Sequence, residues 1–340
     1  MKQKRTWIML WIVMSTILLM NQLPDLGAYV QTVKVLHARD AFSYEWPPST
    51  ETYKAMPVSD ERDAWMSRIA DEADTINEPA SNARIDRVWK AIPPYKGLKV
   101  NLEQTYQVSR KGKGDIYWVL EEVEPQIELS DLGAQPIYRG NPRKPMTALM
   151  INVAWGEEYL PAMLETLDRE NVSATFFLDG SWLSKHMDTA RELLRAGHEL
   201  SNHAYSHPNM SELSAYRART EIEKTEKLLR ELGVDNQLFA PPSGDFDQET
   251  VKIAKSLGLY TILWTLDTVD WRHPPPAQIV QKIRTQVEPG ALILMHPTDS
   301  SSAALPEMIK EIKKKGLHIS TVSDLISPNR VDSVEVPLQF

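Results

Sequence analysis

The chain has 340 residues, 42% of them hydrophobic and 25% charged, with a net charge of −8 and no cysteine. This is the composition of a globular protein and not of a disordered one. The acidic balance excludes nucleic acid as partner, and the missing cysteine excludes disulfides, zinc–thiolate centres and thiol nucleophiles.

Lys2, Lys4 and Arg5 precede an uncharged apolar run from Thr6 to Met20. A basic start followed by such a run marks a secretion signal or a signal-anchor. No A-x-A cleavage pattern follows, which favours a membrane anchor over residues 1–23. Its basic flank stays inside, so the bulk of the chain stands outside the cytoplasm at the cell membrane. A cleaved signal would secrete the chain instead.

Residues 24–80 read as a stalk with one helix over Asp60–Asp74. Residues 81–134 read as a small α/β module. In it, Ile85, Val88, Trp89 and Ile92 recur at helical spacing over Ala83–Ile92, and Pro93-Pro94 stops the run. Strands are predicted at Leu98–Leu102 and Tyr117–Leu120, with Gly112-Lys113-Gly114 turning between them. A Pro-rich linker, 135–145, marks the main boundary.

From 146 to 327 strand and helix patterns alternate, ahead of a tail at 328–340. Strands are predicted at Thr147–Val153, Ser173–Leu178, Glu199–Ser201, Leu238–Ala240, Tyr260–Trp264, Ala291–Met295 and His318–Thr321. Helices are predicted at Tyr159–Glu170, Thr189–Ala196, Ser211–Leu232, Asp247–Leu257, Ala277–Val287 and Ala304–Lys315. Several of these end at a glycine (Gly197, Gly233, Gly258, Gly316), as helices do. Such a series of β/α repeats means parallel strands joined by helices, and an incomplete barrel suits the count better than a doubly wound sheet.

Within this segment, His198 to Pro208 holds three of the eight histidines. His203 and His207 stand four apart, which on a helix or tight helical turn puts both imidazoles on one face. Such a pair is half of a divalent metal site, to be completed by carboxylate or water. The pair follows a strand, where α/β barrels build their sites.

These residues and four further stretches resemble the polysaccharide deacetylase (NodB homology) family. With the N-terminal run, the likeness is strongest to its sporulation-associated, YlxY-type membrane branch. The resemblance implies a distorted (β/α)7 barrel that removes acetyl groups from N-acetylated sugars with a divalent metal, zinc above all. Peptidoglycan or another N-acetylated glycan is the implied partner. The family's first motif, T-F-D-D-G, supplies a general base and an acidic metal ligand. Here it reads Asn152-Val153-Ala154-Trp155-Gly156, with both carboxylates replaced. The second motif, H-S-x-x-H, matches His203-Ala204-Tyr205-Ser206-His207 with both metal imidazoles. The third, R-x-P-x-G, reads Ala240-Pro241-Pro242-Ser243-Gly244 and has lost its Arg.

In the family that Arg pairs with the base. Stripping a buried ion pair of one partner costs roughly 3–5 kcal/mol, so losing both is cheaper than losing one. The fourth motif, Asp267-Thr268-Val269-Asp270-Trp271, and the fifth, Leu294-Met295-His296, are intact. The resemblance makes His296 the general acid, held in its charged form by Asp270 or, as second choice, Asp267. Trp271 and Trp155 are candidates to stack on sugar rings, or else indoles that simply pack. Glu157 and Glu158 offer substitute ligands, though both suit the acidic first turn of the next helix. The site thus reads as degenerate at 154, 155 and 240. Zinc binding is expected to be weak, and catalysis lost or strongly impaired. The alternative is an active deacetylase that uses substituted residues.

Overall fold

The computed structural model describes residues 58–112 and 114–331. The N-terminal run, most of the 24–80 segment and the end of the tail lie outside them. No helix among the described residues is long and apolar enough to cross a membrane. From Ser59 the described chain belongs to one compact unit.

Helix α1 (Val58–Ile76) covers the predicted Asp60–Asp74 and extends it at both ends. It is packed rather than free-standing: Ile69 and Ala73 are buried against Val100, with Trp65, Trp118 and Leu120 around them. The predicted helix over Ala83–Ile92 is instead a hairpin of β1 (Arg84–Asp86) and β2 (Lys90–Ile92), paired antiparallel. The Asp86 carboxylate accepts the N–H groups of Val88 and Trp89, at 2.8 and 2.9 Å. This Asx turn reverses the chain where a helix would continue. Two of the four residues that suggested the helical stripe, Ile85 and Val88, are exposed.

Strand β3 (Gly97–Val100) pairs antiparallel with β4 (Leu120–Val123). The second of these lies three residues beyond the predicted strand. Helix α2 (Leu102–Ser109), capped by the Asn101 side chain, fills the connection that the sequence suggested was mainly a turn.

The main sheet is wholly parallel. It contains β5 (Met146–Val153), β6 (Thr175–Leu178), β7 (Glu199–Asn202), β8 (Leu238–Phe239), β9 (Tyr260–Thr261), β10 (Leu266–Asp267), β11 (Leu292–Met295) and β12 (His318–Ser320). The order is β10-β11-β5-β6-β7-β8-β9, with β12 added to β5. Helices return the chain between strands: α3 (Leu160–Arg169), α4 (Gly180–Leu183), α5 (Met187–Arg195), α6 (Ala215–Glu231), α7 (Gln248–Ser256), α8 (Pro276–Gln286), α9 (Asp299–Lys314) and α10 (Val322–Ile326). Six of the predicted strands and five of the predicted helices match within a few residues. The departures are β9, which ends at Thr261, the unpredicted two-residue β10, the unpredicted short helices α4 and α10, and the early start of α9.

Helix α9 begins five residues before the predicted Ala304, because Thr298 and Ser301 form a reciprocal capping box that outweighs Pro306 inside the helix.

The sheet curls into a half-barrel whose two path ends, β9 and β10, do not pair. The Pro-rich stretch enters this gap. Ile137 donates to Thr261 O at 2.9 Å and accepts from Leu263 N at 2.7 Å, while Gly140 N donates to Gly290 O at 2.8 Å. Ile137 is fully buried. The segment expected as a linker is therefore a strap that lines the barrel.

Strand parity divides the core. Leu149, Ile151 and Val153 face the helices, with Phe176, Leu178, Ile293 and Met295. Ala148 and Met150 face the barrel interior, with Phe177, Leu238, Ala240, Ile262, Leu292 and Leu294. The next inward positions at the carboxyl ends of β5 and β11 are Asn152 and His296. They stand on top of this apolar column.

Candidate functional site

A cleft of about 430 Å³ opens above the column. Asn152, Ala154 and Trp155 line it after β5, His203 and His207 after β7, and Ser243 and Trp264 on the β8–β9 side. Asp267, Trp271, Leu294 and His296 complete it after β10 and β11. The structure thus brings His203, His207 and His296 to one cavity at the strand carboxyl ends.

The His203/His207 pair is not helical. Both residues sit in the loop after β7, with Ala204 and His207 in left-handed backbone at φ 58° and 54°. Buried polar groups impose this path. Asn202 Oδ1 accepts Ala204 N–H at 2.8 Å, and the Asn202 amide donates to Ile222 O and Glu226. The Glu221 carboxylate accepts Ser206 N–H at 2.8 Å and Tyr205 N–H at 3.2 Å, and takes the Ser206 hydroxyl. The two imidazole centroids end 5.1 Å apart at 72°.

His203 is buried and His207 lies at the rim. Nδ1–H of His203 donates to Ala240 O at 2.7 Å, so Nε2 keeps the lone pair. Burial pushes the His203 pKa down to about 3, and the neighbouring His207 and His296 act in the same direction. Neutral imidazole with its other nitrogen tied to a carbonyl is the ligand form that metal sites use.

Across the cleft, Asp270 is the partner of His296. Its two oxygens take Nδ1 of the ring at 2.8 Å and the backbone N–H of the same residue at 2.6 Å. Asp270 has no exposed surface. Asp267 lines the cleft but turns Oδ1 to Val269 N–H at 2.7 Å. The turn holding Asp270 is sharp, with Val269 and His273 both left-handed. The His296 carbonyl accepts the Ser301 hydroxyl, tying the fifth motif to the first turn of α9. Such a pair can hold an imidazole in one orientation and move a proton at Nε2.

At the positions of the family's base and acidic ligand the structure has Ala154 and Trp155. The Trp155 indole lies parallel to the His296 ring, with centroids 5.9 Å apart at 8°. It is 43% exposed. Gly156 is left-handed at φ 80°, and a side chain there would collide with Pro297 O, so the first and fifth motifs touch through backbone. Glu157 and Glu158 are exposed in the short 3₁₀ turn ahead of α3 and do not line the cleft.

Ala240 is fully buried, and its neighbours in the barrel core are apolar. Among the described residues no group of three His, Cys, Asp or Glu side chains converges to hold a metal ion. Two imidazoles without a carboxylate do not fit a resident divalent cation.

Trp271 stands 47% exposed at the rim, with the Arg272 guanidinium 4.6 Å from its ring centroid. Asn152, Ser243, Trp264 and Leu294 also line the cleft, and sequence motifs assign none of them a role. Strand parity was the available signal for Asn152 and Leu294. Ser243 lies within the third motif and Trp264 ends a predicted strand, but only tertiary packing brings them to the cleft.

Parallel strands with a His pair on one wall of the cleft and a His–Asp pair on the other define an α/β half-barrel with a histidine-lined cleft at its strand ends. The polysaccharide deacetylase family model matches residues 139–262. The uncharacterized protein YlxY of Bacillus subtilis is 41% identical over 277 residues, 81% of this chain and 87% of that protein. A crystal structure described as a CE4 family pseudoenzyme from Bacillus anthracis is 41% identical, with TM-score 0.74 over 78% of this chain and 96% of that one.

A mutant of that pseudoenzyme, described as having restored enzymatic activity, is 39% identical with the same TM-score, over 78% of this chain and 99% of that one. A peptidoglycan-N-acetylglucosamine deacetylase of Bacillus cereus is 31% identical over 179 residues, 51% of this chain and 65% of that enzyme. The chain belongs to the polysaccharide deacetylase (CE4) family.

Proposed function

We propose that this chain is a cell-envelope member of the family that holds N-acetylated glycan, peptidoglycan first among them, with deacetylation lost or strongly impaired. The observation that carries this reading is the contrast between the cleft's two halves. His203, His207 and the His296–Asp270 pair are present. Ala154 offers no base, Trp155 offers no metal ligand, and Trp155 lies along the face of His296. Activation of water by a metal needs both a held cation and a proton acceptor.

Exposed Trp155 and Trp271 flank the cleft and would serve as platforms for sugar rings. The relatives named above lend support, since one is described as a pseudoenzyme and another as a deacetylase of peptidoglycan N-acetylglucosamine. Anchoring by residues 1–23, an extracytoplasmic location at the cell membrane and a role in sporulation belong to the same reading. An active deacetylase with substituted residues is the second reading, favoured by the retained His296–Asp270 pair.

The test is an assay of the full-length chain on an N-acetylglucosamine pentamer, with and without zinc. No acetate is expected, and binding of the pentamer should weaken in Trp271→Ala. Zinc-dependent acetate release by the native chain would overturn the reading in favour of the enzyme.

A further inference from the structure

Asn152 is the one polar inward residue of β5 at the cleft floor. It lies in line with Met150 and Ala148 below, beside His296 on one neighbouring strand. The residue is 4% exposed. Its Oδ1 is sealed from solvent with no partner, and its carboxamide makes no hydrogen bond to any described residue. By contrast, the next buried asparagine, Asn202, has both ends of its amide bonded. An unpaired buried amide destabilises the free protein, and Asn152 lines the cleft, where a ligand can supply the missing bond.

The geometry points to Asn152 as the residue that recognises the acetamido group of the bound glycan, and so makes the cleft specific for N-acetylated over de-N-acetylated sugar. This rests on the glycan-binding reading above. A carboxamide offers one acceptor and two donors, and a half-turn about χ2 presents either end to the cleft. A secondary amide offers a neutral donor and a neutral acceptor, which match it. The ammonium of a de-N-acetylated sugar offers donors only, so it leaves the amide donors of Asn152 without an acceptor. Asn152 is a specificity residue in this scheme and takes no part in bond breaking.

The experiment is calorimetric titration of the full-length chain with an N-acetylglucosamine pentamer and with its fully de-N-acetylated counterpart. Thermal melting of each unliganded variant runs in parallel. The native chain is expected to prefer the acetylated pentamer by about tenfold, the scale of one hydrogen bond to a buried amide. Asn152→Leu should lose that preference while melting at the same temperature as the native chain or higher, because it removes an unsatisfied polar group.

Asn152→Asp keeps the size, offers acceptors only, and should shift the preference toward the amine. Preference for the acetylated pentamer that survives in either variant would overturn the assignment. A lower melting temperature for Asn152→Leu would also overturn it, since the carboxamide would then be held by the protein itself. Equal binding of both pentamers by the native chain sinks this inference and leaves glycan binding standing. Binding of neither removes the functional reading and the inference together.

Discussion

His203 combines a ligand-ready tautomer with a burial that forbids its charge. Its folded pKa of about 3 lies below the ordinary value of 6.5. Between those values the unfolded chain binds the proton and the folded chain does not, so stability is lost as pH falls from 6.5 toward 3. The single-site loss at pH 5 is about 2 kcal/mol, from 1.36 kcal/mol per pH unit. Urea denaturation at pH 7 and pH 5 should register it, and His203→Gln, whose amide can still donate to Ala240 O, should flatten the difference. An unchanged pH dependence in that variant would show that the proton is taken up elsewhere.

Trp155 has a different logic at the same scale. Its indole occupies the position of a carboxylate without repeating its chemistry, and its exposure makes it replaceable at less cost than a buried indole.

Among the elements, the loop from Ala204 to His207 depends on a helix distant in sequence. Glu221 on α6 is buried and bonds the backbone of Tyr205 and Ser206. Hydrogen bonds to a charged group contribute about 1.5–3 kcal/mol. Glu221→Ala should therefore destabilise the fold by about 2 kcal/mol and free His207 from its left-handed backbone, seen as broadening of its imidazole NMR signal while that of His203 stays sharp. An equally sharp His207 signal in the variant would mean that the loop holds its own shape.

The β1–β2 hairpin teaches the converse. Apolar residues at helical spacing did not make a helix, because Asp86 turned the chain and Ala91 and Ile92 found a buried surface beside the 136–140 strap.

For the whole molecule, the question is whether the groups absent at Ala154, Trp155 and Ala240 decide metal binding and catalysis. The native chain is expected to bind zinc weakly or not at all by calorimetry. Tight binding that disappeared in Glu157→Ala or Glu158→Ala would contradict this, since the fold exposes both side chains away from the cleft.

Ala154→Asp, Trp155→Asp and Ala240→Arg together restore base, ligand and the partner of the base. They should be combined, because groups that act as a unit are non-additive. The triple variant should gain zinc affinity and a trace of acetate release. Its stability should fall, chiefly at Ala240, where an arginine must displace a packed interior at about 1–3 kcal/mol. Zinc affinity no better than that of the native chain would place the defect in the frame of the cleft and not in these three side chains.

The parallel half-barrel was legible because each strand is a short apolar run and most of its helices carry a period, a cap and a glycine stop, all local features. The motif histidines and the Asp–His alternatives were legible for the same reason, as short spacings along the chain. Local pattern could not choose Asp270 over Asp267. The choice came from the turn through Val269 and His273, which turns one carboxylate to the imidazole and the other to a backbone N–H.

Nor could it reveal that residues 136–140 line the gap of the half-barrel, that Glu221 shapes the histidine loop, or that Asn152 is left without a partner. Each depends on groups 15 or more residues apart. Burial and hydrogen-bond satisfaction are properties of the packed chain, so they are decided only when the strands and helices meet.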